Sequence, residues 1–146
     1  MNYQAGQGIL GRIRFVDGEM PQYDRMYLIV RVESKFVDVL NISSVRGKEH
    51  KLAFRTNHLI QKYNPPFRKP SFAKLDSLMR VEKSQLGSFH LLSSGQSWDM
   101  DELLKIQQQL EGRSIVICIN NNEVSQVLIY RHINICGVTV CNIQWS

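Results

Sequence analysis

Two apolar runs separated by three residues constrain the fold of this chain more than any other feature. The first is RMYLIVRV at residues 25–32 and the second is FVDVLNISS at residues 36–44. Both are rich in β-branched and aromatic residues, which favour strands, and so short a connection joins antiparallel neighbours. We predict a hairpin of strands over Met26–Val32 and Phe36–Ile42, with the first strand central and covered on both faces.

Further strand patterns lie on both sides of this hairpin. Over Ile9–Val16, Ile13 and Phe15 alternate with Arg12 and Arg14, which is typical of a half-buried strand. Later strands are predicted over Leu52–Phe54, Ser71–Leu75, Leu78–Val81, Ser114–Ile119, Val124–Tyr130, Ile133–Cys136 and Val138–Trp145. The short connections between the first three strands indicate an antiparallel meander, and hence a small barrel or sandwich.

The clearest helical pattern covers Asp99–Glu111. Asp99 followed three residues later by Glu102 resembles a capping box, and Gly112 is suited to end the helix. The residues predicted to share its buried face are Met100, Leu103, Leu104, Gln107 and Leu110. A shorter helical turn is predicted over His58–Lys62. The fold class is therefore mainly β (α+β), with residues 1–146 forming a single domain.

Composition narrows the classes of function. With 43% hydrophobic and 21% charged residues, the chain resembles an ordinary globular protein. No apolar run approaches the ~20 residues of a membrane span, and the N-terminus lacks the pattern of a secretory signal. We therefore expect a cytoplasmic protein with no membrane partner. Walker, G-x-S-x-G and G-x-G-x-x-G motifs are all absent.

The cysteines and histidines do not indicate a metal site. Cys118, Cys136 and Cys141 are an odd number and have no zinc-type spacing. The four histidines form no HExxH or similar pattern. We predict reduced cysteines near the core, no metal and no cofactor.

Positive charge is concentrated in the middle third of the chain. Residues 44–84 hold ten Lys and Arg against three Asp and Glu, within a net charge of +5 for the whole protein. Clustered cations favour partners that carry phosphate, because binding releases condensed counterions. Arg46, Lys48 and Arg55 are the candidate phosphate contacts, although such charges also occur on solvated loops.

An arginine and two serines lie at the ends of the hairpin strands. Arg25 directly precedes the predicted strand Met26–Val32, which would hold rigidly a guanidinium able to contact two phosphate oxygens. Ser43 and Ser44 end the second run and could donate to the same anion. The alternatives are an arginine at the rim paired with Asp24 or Glu19, and serines that cap a turn.

The order of these segments resembles the MazF/PemK family of bacterial toxins. The segments are GRIRFVDG, RMYLIVRV, VDVLNISS and KPSFAKLDSLMRVEKSQLG, followed by the helix. They parallel the family's G-D-I-x-x-V-D-like first strand, R-P-x-L-like second strand, third strand ending in Thr or Ser, and later I-R-T-containing segment. The resemblance covers about residues 8–112.

This resemblance implies an SH3-like β-barrel with a C-terminal helix, with residues 113–146 as an additional β extension. It also implies a homodimeric, metal-independent endoribonuclease that cleaves single-stranded RNA and is neutralised by a cognate antitoxin. Carried onto this chain, Arg25 and Ser43 become the catalytic pair, with Ser44 as the other possible hydroxyl. Arg25 would stabilise the scissile phosphate and serve in proton transfer, and the attacking group would be the 2′-hydroxyl of the RNA.

Three departures accompany the resemblance. Met26 replaces the proline that usually follows the arginine, and Leu78-Met79-Arg80 replaces the I-R-T triplet. Ser77 aligns with a glutamine that often precedes that triplet, so that Ser77 and Arg80 are the corresponding RNA-binding candidates. Residues 113–146 extend past the usual end. The alternative function is accordingly a non-catalytic module of the same fold that binds nucleic acid or protein.

Overall fold

In a computed structural model of the protein, the structure describes residues 2–13, 19–48, 50, 57–62, 65–120, 123–129, 133–135 and 138–140. These residues form a mainly β fold with one α-helix. The elements are β1 (Gly8–Gly11), β2 (Arg25–Val32), β3 (Phe36–Ser44), β4 (Asn57–Ile60), β5 (Ser71–Lys74), β6 (Met79–Glu82), β7 (His90–Leu91), α1 (Met100–Leu110), β8 (Ser114–Asn120), β9 (Glu123–Ile129), β10 (Ile133–Ile135) and β11 (Val138–Val140).

The predicted meander is present at the centre of the main sheet. β2 pairs antiparallel with β1 on one side and with β3 on the other. The far side of β3 is shared by two strands, because β6 pairs with residues 36–39 and β5 with residues 42–44. β2 has five consecutive buried residues from Tyr27 to Arg31, so the prediction of a central strand covered on both faces is confirmed.

The main sheet does not close into a barrel. Among the described residues, its strands follow the open path β7-β1-β2-β3-β6-β8-β9, with β4 and β5 beside β3. β8 joins the far side of β6 as a parallel neighbour, and β9 pairs with β8. The closed SH3-like barrel implied by the resemblance is therefore not observed, because these strands extend the sheet outward from β6. β10 and β11 pair only with each other within the described residues.

Two local predictions differ from the structure. His58–Lys62 was predicted as a helical turn, but residues 57–60 form β4, which pairs antiparallel with β5. Pairing across the sheet outweighs the weak local preference of such a short segment. The first strand is shorter than predicted and ends at Gly11. Its predicted continuation through residues 14–16, and the predicted strand Leu52–Phe54, lie outside the described residues.

α1 forms where predicted, and three of the five residues predicted on its buried face are buried. The Asp99 carboxylate caps it by accepting a 3.1 Å hydrogen bond from the Glu102 N–H, which lowers the pKa of Asp99. Met100 and Leu104 are 64% and 41% exposed, so their predicted burial is wrong. The buried residues of the helix are Glu102, Leu103, Ile106, Gln107 and Leu110. No helix in the described residues is both long and apolar enough to cross a bilayer.

The side chains of β2 and β3 pack into two cores, one on each face of the sheet. One face is covered by α1 and contributes Leu28, Leu40 and Ile42 to a core with Ile106. The other face contributes alternate residues, among them Tyr27, Ile29, Val37 and Val39. Because side chains alternate along a strand, these two cores identify the face of the residues next to them, outside the register irregularity between Ile29 and Arg31.

Candidate functional site

The catalytic pair expected from the sequence lies at one end of the β2–β3 ladder. The register pairs Met26 with Ile42, and Arg25 and Ser43 are the next residues outward on the two strands. Arg25 is flanked on its other side by Gly11, and Ser43 by Phe72. Cross-strand neighbours of this kind have Cβ atoms roughly 5 Å apart. The fold therefore brings the arginine and the hydroxyl together.

The two candidate serines point to opposite faces of the sheet. Arg25 and Ser43 alternate with Met26 and Ile42, so both lie on the face of Tyr27, away from α1. Ser44 lies on the α1 side, where it lines a pocket together with Met26. Only Ser43 shares a face with Arg25. Of the two hydroxyls left open by the sequence, Ser43 is the one that can act on the same anion as Arg25.

Both candidate hydroxyls are uncommitted in the part of the chain that the structure describes. Three nearby serines donate their hydroxyl protons to backbone carbonyls at 2.6–2.8 Å. Ser71 donates to the carbonyl of Lys69, Ser77 to that of Lys74 and Ser93 to that of Pro66. Ser43 and Ser44 make no comparable bond there. Ser43 retains only 7% exposure, whereas Ser44 is half-buried. The Ser43 side chain is thus largely enclosed, and its hydroxyl makes no hydrogen bond within the described residues.

Arg25 has an aromatic neighbour that the sequence analysis did not select. Its Cζ lies 5.1 Å from the centroid of the Tyr23 ring, and Tyr23 is 61% exposed. Stacking of this type orients a guanidinium without neutralising it. The Asp24 carboxylate, one of the two predicted alternative partners of Arg25, accepts a hydrogen bond from Arg12 at 3.2 Å. The position of a tyrosine two residues before Arg25 was the feature of the sequence that could have indicated this contact.

Arg80, a predicted RNA contact, takes part in an interior ion pair. Its Nε and Nη2 donate to the two carboxylate oxygens of Asp38 at 2.8 and 3.1 Å. Arg80 is 6% exposed and Asp38 2%. Burial raises the pKa of Asp38, and the hydrogen bonds from Arg80 oppose that shift. Arg31, opposite Asp38 in the register, is also buried and donates to Glu33. These contacts assign Arg80 to the structure of the sheet.

Ser77, the other predicted contact from that segment, bridges a gap in the strand pairing. The Asn41 N–H lies between the stretch of β3 that pairs with β6 and the stretch that pairs with β5. It donates to the Ser77 hydroxyl at 2.9 Å, and that hydroxyl donates to the Lys74 carbonyl at 2.6 Å. The side chain satisfies backbone groups that would otherwise lack partners.

The candidate phosphate contacts that the structure describes follow β3 directly. Arg46 is exposed in a turn closed by a 2.8 Å hydrogen bond from the Lys48 N–H to the Val45 carbonyl, and Lys48 is half-buried. Gly47 has φ +76°, which this turn requires and which most other residues adopt only with strain. Arg55 lies outside the described residues.

A second basic segment lies beside this turn. The Val45 N–H donates to the Pro70 carbonyl at 3.0 Å, which holds the turn against residues 68–70. Arg68 and Lys69 are both exposed there. Both belong to the basic segment of residues 44–84, but neither was a candidate phosphate contact. In the described ranges, no group of three His, Cys, Asp or Glu side chains could hold a metal ion.

Comparison with known proteins does not assign the chain to a family. No protein-family model matches the sequence, and a search of curated proteins finds no match.

Proposed function

We propose that this protein is a metal-independent endoribonuclease toxin, related to the MazF/PemK family, that cleaves single-stranded RNA with Arg25 and Ser43. The observation that carries the proposal is their position on adjacent strands and on one face of the sheet. A guanidinium and a hydroxyl there would both donate to one phosphate. The order of sequence motifs supports the kinship, and with it a cytoplasmic homodimer neutralised by a cognate antitoxin.

The chemistry follows from what these groups can supply. In the proposed step, the 2′ oxygen of the RNA attacks the adjacent phosphorus and the bond to the 5′ oxygen breaks. One proton leaves the 2′ oxygen for solvent and another reaches the 5′ oxygen, so no co-reactant is consumed. Arg25 stabilises negative charge on the non-bridging oxygens through its paired donors, and Ser43 donates a further hydrogen bond. The products are a 2′,3′-cyclic phosphate and a 5′-hydroxyl.

A second candidate is a binding module of related fold that holds RNA without cleaving it. The small exposed fraction of Ser43, 7%, favours this alternative, because a catalytic hydroxyl must reach the phosphate. In that case the basic segment would bind the backbone, and Arg25 would contact a phosphate that remains intact.

Incubation of the purified chain with a long single-stranded RNA separates these candidates. With EDTA in excess, we expect RNA fragments to accumulate at the rate seen without EDTA, because the proposed step uses only protein groups. DNA of the same sequence should stay intact, since it lacks the 2′-hydroxyl. RNA that is bound but uncut would support the module, and RNA that is neither bound nor cut would exclude both.

A further inference from the structure

We propose that a pocket on the α1 side of the sheet, beside the end of β3, is a nucleotide subsite that holds one base of a bound RNA strand. This proposal rests on the proposed function, which identifies the bound polymer as RNA. The pocket has a volume of about 440 Å³, within the range of sites that hold a small-molecule group. It opens beside Ser44 and Met26, which immediately follow the catalytic candidates in sequence.

The walls of the pocket suit a flat, weakly polar ring. Five of the nine lining residues are apolar, namely Met26, Pro66, Phe67, Leu91 and Leu92, and no carboxylate is among the nine. Phe67 is 1% exposed and forms the floor, whereas the two leucines and Met26 are partly buried. Such a surface buries the face of a nucleobase and offers nothing that repels the phosphate attached to it.

Hydroxyl groups at the pocket supply the polar contacts that a base edge requires. The Ser44 hydroxyl is uncommitted within the described residues, so it can donate to or accept from the base. The Ser93 hydroxyl instead donates to the Pro66 carbonyl at 2.8 Å. That bond joins two of the segments that line the pocket.

Basic residues lie at and beside the pocket. Arg68 and Lys69 line it and are exposed. Arg46 and Lys48 belong to the neighbouring turn, which the 3.0 Å hydrogen bond from Val45 to Pro70 holds against the same segment. An apolar slot with a cationic rim matches a nucleotide, whose base is apolar on its faces and whose phosphates are anionic.

The position of the pocket connects it to the proposed active site. Arg25 and Ser43 point to one face of the sheet, and Met26 and Ser44 point to the other at the same strand ends. An RNA strand that crosses this end of the sheet would contact both faces. A base in the pocket would then fix which phosphate lies at Arg25 and would contribute to the choice of cleavage site.

The test is binding of a non-cleavable single-stranded DNA oligonucleotide, which separates binding from cleavage. We expect the double variant Arg68→Ala with Lys69→Ala to weaken binding and to reduce the slope of log Kd against log salt by about 1.4, at ~0.7 per lost phosphate contact. The matched control removes two cations elsewhere, Lys62→Ala with Lys105→Ala, both about 60% exposed beside α1. It should leave the slope unchanged.

NMR of side-chain methyl groups locates the base. The oligonucleotide should shift the methyl signals of Met26, Leu91 and Leu92 but not that of Ile106, and an abasic oligonucleotide should not shift the leucines. Unshifted pocket methyls, or equal slopes for the two double variants, would overturn the subsite. If RNA is cleaved but the pocket methyls do not shift, the ribonuclease proposal is retained and the subsite is rejected. If the pocket methyls shift but RNA is not cleaved, the ribonuclease proposal is rejected and the subsite is retained.

Discussion

Replacing Arg25 with alanine should reduce the rate of RNA cleavage by about 10²–10³-fold, the loss typical when a donor to a developing negative charge is removed. The guanidinium stands beside Ser43 at the strand ends and supplies the only full positive charge that we place on the phosphate. Arg25→Lys should recover part of the rate, because lysine keeps the charge but lacks the two-pronged donor geometry. Initial rates on a fluorescent RNA substrate provide the measurement.

Arg12→Ala is the matched control for that substitution. Arg12 follows the neighbouring strand, carries the same charge and is 47% exposed in its pair with Asp24. Its loss should change the rate by less than about tenfold, the size of one weakened electrostatic contact near the surface. Circular dichroism of both variants should match the native protein. Equal rates for Arg25→Ala and the native chain would contradict the assignment of Arg25.

Replacing Asp38 with alanine should lower the free energy of unfolding by about 3–5 kcal/mol, the cost of leaving a buried charge without its partner. Asp38 accepts two hydrogen bonds from Arg80, and Arg31 lies opposite it on β2. Both arginines are at most 6% exposed, so neither can turn to solvent without disturbing the sheet. Urea denaturation followed by circular dichroism measures the loss.

Asp24→Ala provides the comparison for the buried pair. Asp24 and Arg12 form an exposed ion pair, so that substitution should cost about 1 kcal/mol or less. Replacing Arg80 with methionine in the Asp38→Ala background should cost little further, because the partner is already lost. A cost for Asp38→Ala similar to that for Asp24→Ala would contradict the structural role of this pair. It would also reopen Arg80 as a residue able to contact RNA.

Local patterns were sufficient to predict the centre of the fold. Strands β2 and β3, their hairpin connection and helix α1 follow from composition and periodicity, because each forms from contiguous residues with a strong preference. The proximity of Arg25 and Ser43 also follows, since a short hairpin brings the start of one strand to the end of the next. No long-range information was needed for either.

The features that depend on pairing between distant segments were not predictable in this way. The parallel pairing of β6 with β8 extends the sheet beyond β6. This pairing joins two segments that are separated in sequence by α1. The exposure of Met100 and Leu104 depends on which face of α1 packs against the sheet, and that packing involves residues distant in sequence. The pocket is built by four separate parts of the chain, so no motif in the sequence marks it.

One interior feature did leave a signal in the sequence. Asp38 interrupts the run FVDVL, and Arg31 interrupts LIVRV, within strands otherwise expected to be buried. A charge in such a position requires an opposite charge nearby. The two residues are opposite each other in the observed register. The contribution of Arg80, from a third strand, still required the structure.

The chemical nature of the RNA ends tests the central claim most directly. If Arg25 and Ser43 promote attack by the 2′-hydroxyl, mass spectrometry of fragments made in EDTA should show 2′,3′-cyclic phosphate on the upstream piece and 5′-hydroxyl on the downstream piece. The Arg25→Ala protein should yield the same ends at a rate about 10²–10³-fold lower. Fragments ending in 3′-hydroxyl and 5′-phosphate, or intact RNA after prolonged incubation with the native protein, would contradict the account.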